Sequence, residues 1–356
     1  MVEDKVMVNL ETEDVPTGLT RPFFSIVIAA YNSEKTIEYT LKSISEQSID
    51  KAEVEVLVID GGSQDETVNI AKKYGARIFN NEKKLPEYAK AIGNKEALGH
   101  FVLRMDSDEE FSYKQQLEDK MHFLQKNPEI KVLISNCCVA GRKEITGISA
   151  DYMNILGDPF SYFVYKTKKD KSTTYRNNIV NNDGKCVVMR FKEGDVYPLA
   201  DSATCGVCLD YIREQYPNEY CSIEFICNTY DRVIAQTEYC GVIIDDVIKH
   251  NCSSSLKTYL SKLKFRVINN LFHKDESGFS AKEYVSENLS KRKMLFCLYA
   301  LCVPLVILDS IRLAVVYKNV TFMLHFIYLY YVCIQVLWYG AVKLFGGTRR
   351  NKSYAK

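Results

Sequence analysis

From residue 23 to residue 108 the chain alternates short apolar runs with stretches whose apolar residues recur at helical spacing. Residues 23–30 (FFSIVIAA) and Val54–Asp60 are apolar and β-branched at successive positions, the mark of strands covered on both faces. Between them Ser33 is placed to cap a helix whose Ile37, Leu41 and Ile44 form one apolar stripe. Gly61-Gly62-Ser63 after Asp60 predicts a tight turn where a ligand can reach the backbone, and Asp65 and Thr67 open a second helix running to Tyr74. Residues 76–80 read as a third strand. Residues 86–97 form a helix with Pro86 at its start, where a missing N–H costs nothing, and residues 101–106 a fourth strand. Strands alternating with helices make a parallel sheet, and such sheets bind ligands beyond the carboxyl ends of their strands. Tyr31, Asn32, Asp60 and Asp106 would converge on that edge.

The fourth strand delivers Asp106-Ser107-Asp108 to its own end. Side chains alternate along a strand, so Asp106 and Asp108 would face the same way, toward one hard cation. Mg²⁺ or Mn²⁺ suits such carboxylates and is commonly completed by the phosphates of a substrate, which makes a nucleoside diphosphate the natural companion. The same acidic cluster also serves turn and cap chemistry, and the spacing alone leaves both open.

Composition narrows the partners. A net charge of +1 over 356 residues gives no global field for nucleic acid. The acidic, polar residues 1–20 lack the apolar core of a signal peptide, so the 12 cysteines are expected as buried free thiols in a reducing compartment. Cys205 and Cys208 form a C-x-x-C with no second pair at zinc-ribbon spacing.

Beyond residue 135 the signal thins. Residues 157–163 and the polar stretch 166–182 read as excursions over the ligand edge, and Asn181-Asn182-Asp183-Gly184 is turn chemistry. Leu256, Tyr259, Leu260, Leu263, Val267, Ile268 and Leu271 then recur at helical spacing beside Lys257, Lys262, Lys264 and Arg266. Such a stripe fits a helix in a membrane interface or one packed on the preceding domain. Two apolar segments follow, 294–317 and Val320–Leu344. The second has no formal charge before Lys343, which suffices to span a bilayer; Pro304, Asp309 and Arg312 interrupt the first. Asp309 and Arg312 lie three apart on one helical face and are expected to neutralise each other.

The motifs SIVIAAYN (25–32), VIDGGSQDET (58–67) and Ala97-Leu98-Gly99 leading into Asp106-Ser107-Asp108, in this order, resemble the nucleotide-sugar half of family 2 glycosyltransferases. The resemblance implies an α/β GT-A fold, a Rossmann-like and mostly parallel sheet flanked by helices, here with added C-terminal hydrophobic helices. It implies inverting sugar transfer from a nucleotide-diphosphate donor, a UDP-sugar, with Mg²⁺ or Mn²⁺. Ala30, Tyr31 and Glu34 would surround the nucleoside, Asp60 would meet the base, and Asp106 and Asp108 would address ribose and metal-bound diphosphate. Ala30 stands where the family often has proline, and Lys90-Ala91 where it often has arginine and asparagine, so Lys90 keeps the cation but not the amide. The general base is expected in an acidic motif upstream of a strand-end histidine. Counting back from His250 reaches Glu224, with Asp201 and Asp195 as competitors, and His250 itself would assist the metal.

These readings divide the chain into an N-terminal lead (1–20), a catalytic domain (21–255, with its nucleotide-sugar half at 21–135 and acceptor half at 136–255), an amphipathic helix and connector (256–293), a hydrophobic helical hairpin (294–346) and a basic tail (347–356). A nucleotide-sugar enzyme faces the cytoplasm, and Arg349, Arg350, Lys352 and Lys356 in the tail place that end on the same side. The expected topology is therefore a hairpin turning at Lys318-Asn319, or a re-entrant or interfacial helix pair. The expected acceptor is a glycan or lipid-linked precursor of the cell surface at the membrane lipid boundary. Transfer to polyprenyl phosphate and a non-catalytic nucleotide-sugar-binding scaffold are the rival readings.

Overall fold

The computed structural model describes residues 21–198, 204–272 and 288–348, with only the backbone described at 288–290. The N-terminal lead, Asp201, much of the connector and nearly all of the basic tail lie outside the described residues. Among the described residues ten strands form one sheet: β1 (Phe24–Ala30), β2 (Val54–Asp60), β3 (Arg77–Asn80), β4 (Phe101–Asp106), β5 (Glu109–Phe111), β6 (Val132–Ala140), β7 (Ile179–Asn182), β8 (Cys186–Arg190), β9 (Cys205–Cys208) and β10 (Tyr239–His250). Their spatial order is β3-β2-β1-β4-β9-β6-β10-β8-β7, with β5 added to β10. The nucleotide half, β3-β2-β1-β4, is wholly parallel, as the alternation with helices predicts. The remainder is mixed, not mostly parallel: β9 runs antiparallel to β4 and β6, and β8 and β5 run antiparallel to β10. Part of the reason is local. The loop joining β7 to β8 is short, and a short loop can only return the chain antiparallel; there Asp183 accepts backbone N–H groups from Lys185 and Cys186.

The helices are α1 (Ile37–Ser45), α2 (Thr67–Lys73), α3 (Pro86–Glu96), α4 (Gln116–Lys126), α5 (Ala150–Leu156), α6 (Pro159–Tyr165), α7 (Lys171–Thr174), α8 (Leu209–Gln215), α9 (Ile223–Thr237), α10 (Leu256–Phe272), α11 (Asn288–Leu301), α12 (Val303–Val316) and α13 (His325–Leu344). One sheet face packs Phe24, Ile26 and Ile28 against α1 and α4; the other packs Val27, Leu57 and Ile59 against α3 and α9. Burial on both faces explains why β1 and β2 are apolar but for Ser25, Glu55 and the strand-end Asp60. α3 lies so close to β1 that a Cβ at Gly93 would stand 2.3 Å from Val27 Cγ1.

The C-terminal helices differ from a simple hairpin. α11 and α12 are bent by 99° about the break at Cys302, where Pro304 opens α12 without a backbone donor. The expected hairpin tip is fastened to the catalytic unit: Asn319 Nδ2 donates to Asp151 of α5 at 2.6 Å. α13 then runs along α10, with Tyr328, Val332 and Tyr339 sharing a buried cluster with Tyr259, Leu263 and Val267. The apolar stripe of α10 is thus spent on protein, which decides between the two readings of that helix. Arg312 donates to Asp309 at 2.7 Å, the pairing their spacing predicts. Asp309 also accepts from Tyr162 and Tyr299, and Tyr299 meets a fully buried His325 at 2.9 Å. Buried polar groups in such a network are satisfied by one another, which fixes α12 and α13 to α6.

The outward faces of these helices stay apolar. Leu301, Leu308, Val315, Leu337 and Trp338 are among the most exposed large hydrophobic residues of the chain. Val320–Leu344 is long and apolar enough to cross a membrane by length and composition.

Candidate active site

Register brings the strand ends together. Ala30 lies beside Asp60, Ala29 beside Asp106, and Asp60 beside Asn80. The loops that follow are stitched to one another. Asn32, held at φ +48°, donates its N–H to Ser63 Oγ at 2.8 Å and accepts from Gln64 N at 2.9 Å. Asp60 accepts from the N–H groups of Gly62 and Ser63, each at 3.0 Å, and from Ser63 Oγ at 2.5 Å. Its carboxylate therefore shapes the turn, and only its remaining lone pairs face outward. Gly62 takes φ +84°, a conformation that costs glycine nothing. Beside it Tyr31 is exposed, with Lys84 Nζ 5.2 Å from its ring centroid. Glu34 is exposed at the same rim, its N–H donated to Asp65 Oδ2 at 3.1 Å. Ser33 does not cap α1, which begins only at Ile37; its hydroxyl instead meets Ser107 Oγ at 2.8 Å, tying the first loop to the acidic one.

β4 ends at Asp106, and Ser107-Asp108 form a turn into β5. The two carboxylates are thus presented by a strand end and a turn, not by strand alternation as the spacing suggests. Glu109, fully buried in β5, accepts the Asp106 N–H at 3.0 Å and closes that turn. Burial and the neighbouring Asp108 charge hold Asp106 above the ordinary carboxylate range, against the charges of Lys90, His250 and Lys262. Among the described residues the Asp106 carboxylate accepts no hydrogen bond. Burial and the Asp106 charge push Glu109 well above its usual range.

Asp108 has a different neighbour. β10 pairs with β5 so that His250 stands opposite Glu109, and His250 Nε2 comes within 3.3 Å of Asp108 Oδ2. Asn154 of α5 orients the ring through a 2.8 Å contact between its Oδ1 and His250 Nδ1. Burial would lower His250, but bonds to Asp108, Cys138 and Cys252 override it and raise the imidazole well above its usual range. Burial opposes ionisation of Asp108, yet the His250 bond leaves that carboxyl below its usual range. Among the described residues no three His, Cys, Asp or Glu side chains are grouped to hold a metal ion, and His250 stands here as the ion-pair partner of Asp108. The two carboxylates still fit Mg²⁺ or Mn²⁺, which needs only one or two from the protein when phosphates supply the rest. The unbonded Asp106 carboxylate, destabilised by Asp108, is the observation that favours a cation there.

Lys90, on α3, carries a charge that favours the ionised Asp106 carboxylate. Other expected residues fall elsewhere. Glu224 stands in the first turn of α9, a helix held to β4 by Arg104, which donates to Ile226 O and to Thr229 Oγ1. The Glu224 carboxylate turns to solvent, 78% exposed, and pairs with Arg232 at 3.0 Å. The structure does not bring it to the acid pair. Asp195 accepts from Lys192 N and Asn178 Nδ2 and shapes a turn. Glu109 and Asn154 escaped the sequence reading; of the two, Glu109, next to the D-x-D, left a local signal.

Residues 25–192 match the family model described as "Glycosyl transferase family 2". Over 164 residues the chain is 30% identical to poly(ribitol-phosphate) beta-N-acetylglucosaminyltransferase TarS of Staphylococcus aureus, covering 44% of this chain and 28% of that protein. Over 107 residues it is 37% identical to glucosyl-3-phosphoglycerate synthase of Petrotoga mobilis, covering 29% and 31%. The chain spans less than a third of the length of either curated relative. Among solved structures it is similar to mannosyltransferase PcManGT from Pyrobaculum calidifontis in complex with GDP-Man and Mn²⁺, at 16% identity and a TM-score of 0.47, covering 93% of this chain and 91% of that one. The matched residues hold all of the parallel strands β1 to β4, the Asp60 turn and the acid pair, and through them the chain carries a glycosyl transferase family 2 domain of GT-A fold.

Proposed function

We propose that the chain is an inverting glycosyltransferase that moves a sugar from a nucleoside-diphosphate donor of the UDP-sugar type to an acceptor hydroxyl at a membrane surface. The observation that supports this most directly is the meeting of Asp60, Asp106 and Asp108 on one open sheet edge inside a family 2 domain. The names of the relatives, an N-acetylglucosaminyltransferase and a glucosyl-3-phosphoglycerate synthase, agree with sugar transfer.

In this reading Tyr31 and the Gly61-Gly62 turn receive the nucleoside, with Ala30 and Glu34 at its rim. A divalent cation at Asp106 and Asp108 would neutralise the departing diphosphate. Lys90 adds a fixed positive charge toward the same phosphates. The acceptor oxygen attacks the anomeric carbon as the bond to the diphosphate oxygen breaks, and the hydroxyl proton passes to a carboxylate. Glu224 and Asp201 are the two proposed bases. For Glu224 to serve, its pairing with Arg232 must give way, because a base must lie within hydrogen-bond reach of its proton. Glu224→Gln and Asp201→Asn therefore separate them: the true base loses about 10²-fold or more in kcat, the other keeps its rate.

Membrane attachment rests on α11 to α13. Their inner faces are fastened to α5, α6 and α10, and their outer faces carry exposed leucine, valine and Trp338 side chains, apolar surface of the kind that marks a membrane or partner contact. The bent α11–α12 pair and the tethered Asn319 favour helices lying in the interface, on the cytoplasmic face, over a crossing hairpin. Incubation of the detergent-solubilised protein with Mn²⁺ and a panel of nucleotide sugars, followed by mass spectrometry, tests the reading. Release of nucleoside diphosphate from one donor supports it; binding without release from any donor favours the scaffold. A product extracted into organic solvent with polyprenyl phosphate as sole acceptor would move the assignment to that rival.

A further inference from the structure

A hollow of about 530 Å³ lies apart from the acid pair, between α1, the end of α2 and the loop after β6. Glu38, Lys42 and Glu46 recur at four-residue spacing along α1 and share one exposed face, turned from the buried Ile37, Leu41 and Ile44. Tyr39 and Tyr74, both half-buried, add aromatic surface to the lining. Arg142 forms the far wall, and its plane is fixed: it donates to both carboxylate oxygens of Glu110 at 2.9 Å and lies 4.0 Å from the Tyr39 ring centroid. Asn251 accepts the Arg142 N–H at 2.7 Å, donates to Glu110, and gives its own N–H to Asp108 O at 2.7 Å. The wall is thus tied to the acidic turn without belonging to it. Other lining groups are unspent. Among the described residues the Glu38 carboxylate and the Tyr74 hydroxyl have no hydrogen-bond or ion-pair partner, and Glu46 has only Lys42 at 3.9 Å, an exposed pair worth little. Two carboxylates stand against two cations, and Arg142 is already matched by Glu110, so the hollow has no excess of positive charge for a phosphate.

We propose that this hollow binds a neutral oligosaccharide, a stretch of the acceptor glycan held away from the hydroxyl that receives the sugar. Its place on the acceptor rests on the glycosyltransferase reading above; the binding of sugar does not. The volume lies in the range of ligand sites, and a concave lining with aromatic surface and a few unspent polar groups is what such sites share. Sugar hydroxyls donate to the Glu38 and Glu46 carboxylates and accept from Lys42 and the Tyr74 hydroxyl, while the C–H face of a ring packs on the tyrosines. A chain anchored here raises the effective concentration of its own end at the sheet edge.

The test is calorimetric titration of maltotetraose, cellotetraose, mannotetraose and N-acetylchitotetraose into the full chain, with a hyaluronan tetrasaccharide as the anionic comparison and UDP or GDP with Mn²⁺ titrated separately. The proteins are the wild type, Glu38→Ala/Glu46→Ala, Tyr74→Phe and the exposed control Lys73→Gln. Loss of the charge-assisted contacts predicts that Glu38→Ala/Glu46→Ala weakens the preferred neutral tetrasaccharide by about tenfold to a hundredfold, and loss of one neutral hydrogen bond that Tyr74→Phe weakens it by about twofold to tenfold. Lys73→Gln retains full affinity, and nucleotide binding is the same in all four proteins. A wild type that takes none of the neutral chains, or one whose affinity all the variants keep, would overturn the sugar site while leaving the donor-site reading intact. Tighter binding of the hyaluronan chain than of every neutral one would overturn the ligand class. A chain that holds the neutral sugar through these residues but binds neither UDP nor GDP would sink the donor-site reading and leave the sugar site standing.

Discussion

Lys120 and Asp246 form an ion pair with both side chains at 0% exposure, and replacing Lys120 by Met isolates what that burial costs. The ammonium donates to Asp246 Oδ2 and, at 3.3 Å, to Ser135 Oγ, while Gln116 Nε2 donates to Asp246 Oδ1 at 2.5 Å. Lys120→Met leaves the carboxylate in the interior with the Gln116 amide as its one remaining side-chain donor among the described residues. Removing one partner of a buried pair costs about 3–5 kcal/mol, because the survivor keeps its desolvation penalty without the compensating charge. Against a total margin of about 5–15 kcal/mol this is a large fraction. At about 2–4 °C per kcal/mol for larger chains, the thermal midpoint should fall by roughly 6–20 °C.

The effect should also reach the site. Asp246 occupies the irregular register of β10 between Ile243 and Val247, and the same strand goes on to present His250. Differential scanning fluorimetry of the detergent-solubilised protein, run beside nucleotide titrations, reads both consequences. The double variant Lys120→Met/Asp246→Leu should recover most of the lost stability, since a buried pair replaced by apolar groups of similar volume is often neutral or better. A loss under about 1 kcal/mol for the single variant, or a double variant no more stable than the single one, would refute the reasoning.

Asp108→Ala should abolish transfer while the sheet remains folded; turnover at the wild-type rate would remove the proposed cation from the mechanism. Asp108→Asn tests the His250 pair through pH. The raised imidazole contributes stability that is complete below its unfolded value near 6.5 and lost as pH climbs through its folded value; the lowered carboxyl contributes above about 3.9 and loses it as pH falls through its folded value. The wild-type advantage in thermal midpoint should therefore be greatest between about pH 4 and 6.5, worth about 1.5–3 kcal/mol there, and shrink in alkali. An advantage that grows with pH would contradict the pairing. Gly93→Ala should cost about 1–3 kcal/mol, because the new methyl meets Val27 and drives α3, with Lys90, off β1; unchanged unfolding would mean that this contact yields freely. Leu337→Glu/Trp338→Glu, at positions 74% and 62% exposed, should reduce flotation with anionic liposomes without lowering donor binding.

Much of this arrangement was legible in the order of residues, and the places where it was not share a cause. Val54–Asp60 could be delimited from sequence because a strand covered on both faces needs one apolar side chain after another, and that signal is local. The end of β4 looked equally local, but Glu109 captures the Asp106 N–H and the chain turns at Ser107-Asp108. Alternation therefore failed where the acid pair begins. Glu224 and α10 are the sharper cases. Glu224 is drawn outward by Arg232, while Tyr259 and Leu263 of α10 pack against α5 and α13. A helical stripe tells which side of α10 is buried. It does not tell whether lipid or protein covers it.

The docking of α10 also bears on why the hydrophobic helices sit where they do. α5 carries Asn154 toward His250 and, on its other face, Tyr152 and Ile155 into the cluster shared with α10 and α13. A single seven-residue helix therefore has the orientation of the Asp108 partner on one side and the hydrophobic unit on the other. If α13 is peeled away, Tyr152 loses its bond to His325 and α5 loses the surface that fixes its rotation. The imidazole at the acid pair would then lose its orienting amide. Removal of residues beyond 317 should consequently depress diphosphate affinity along with membrane binding, and a truncated chain that still folds and binds nucleotide at wild-type strength would show the two faces of α5 to be independent.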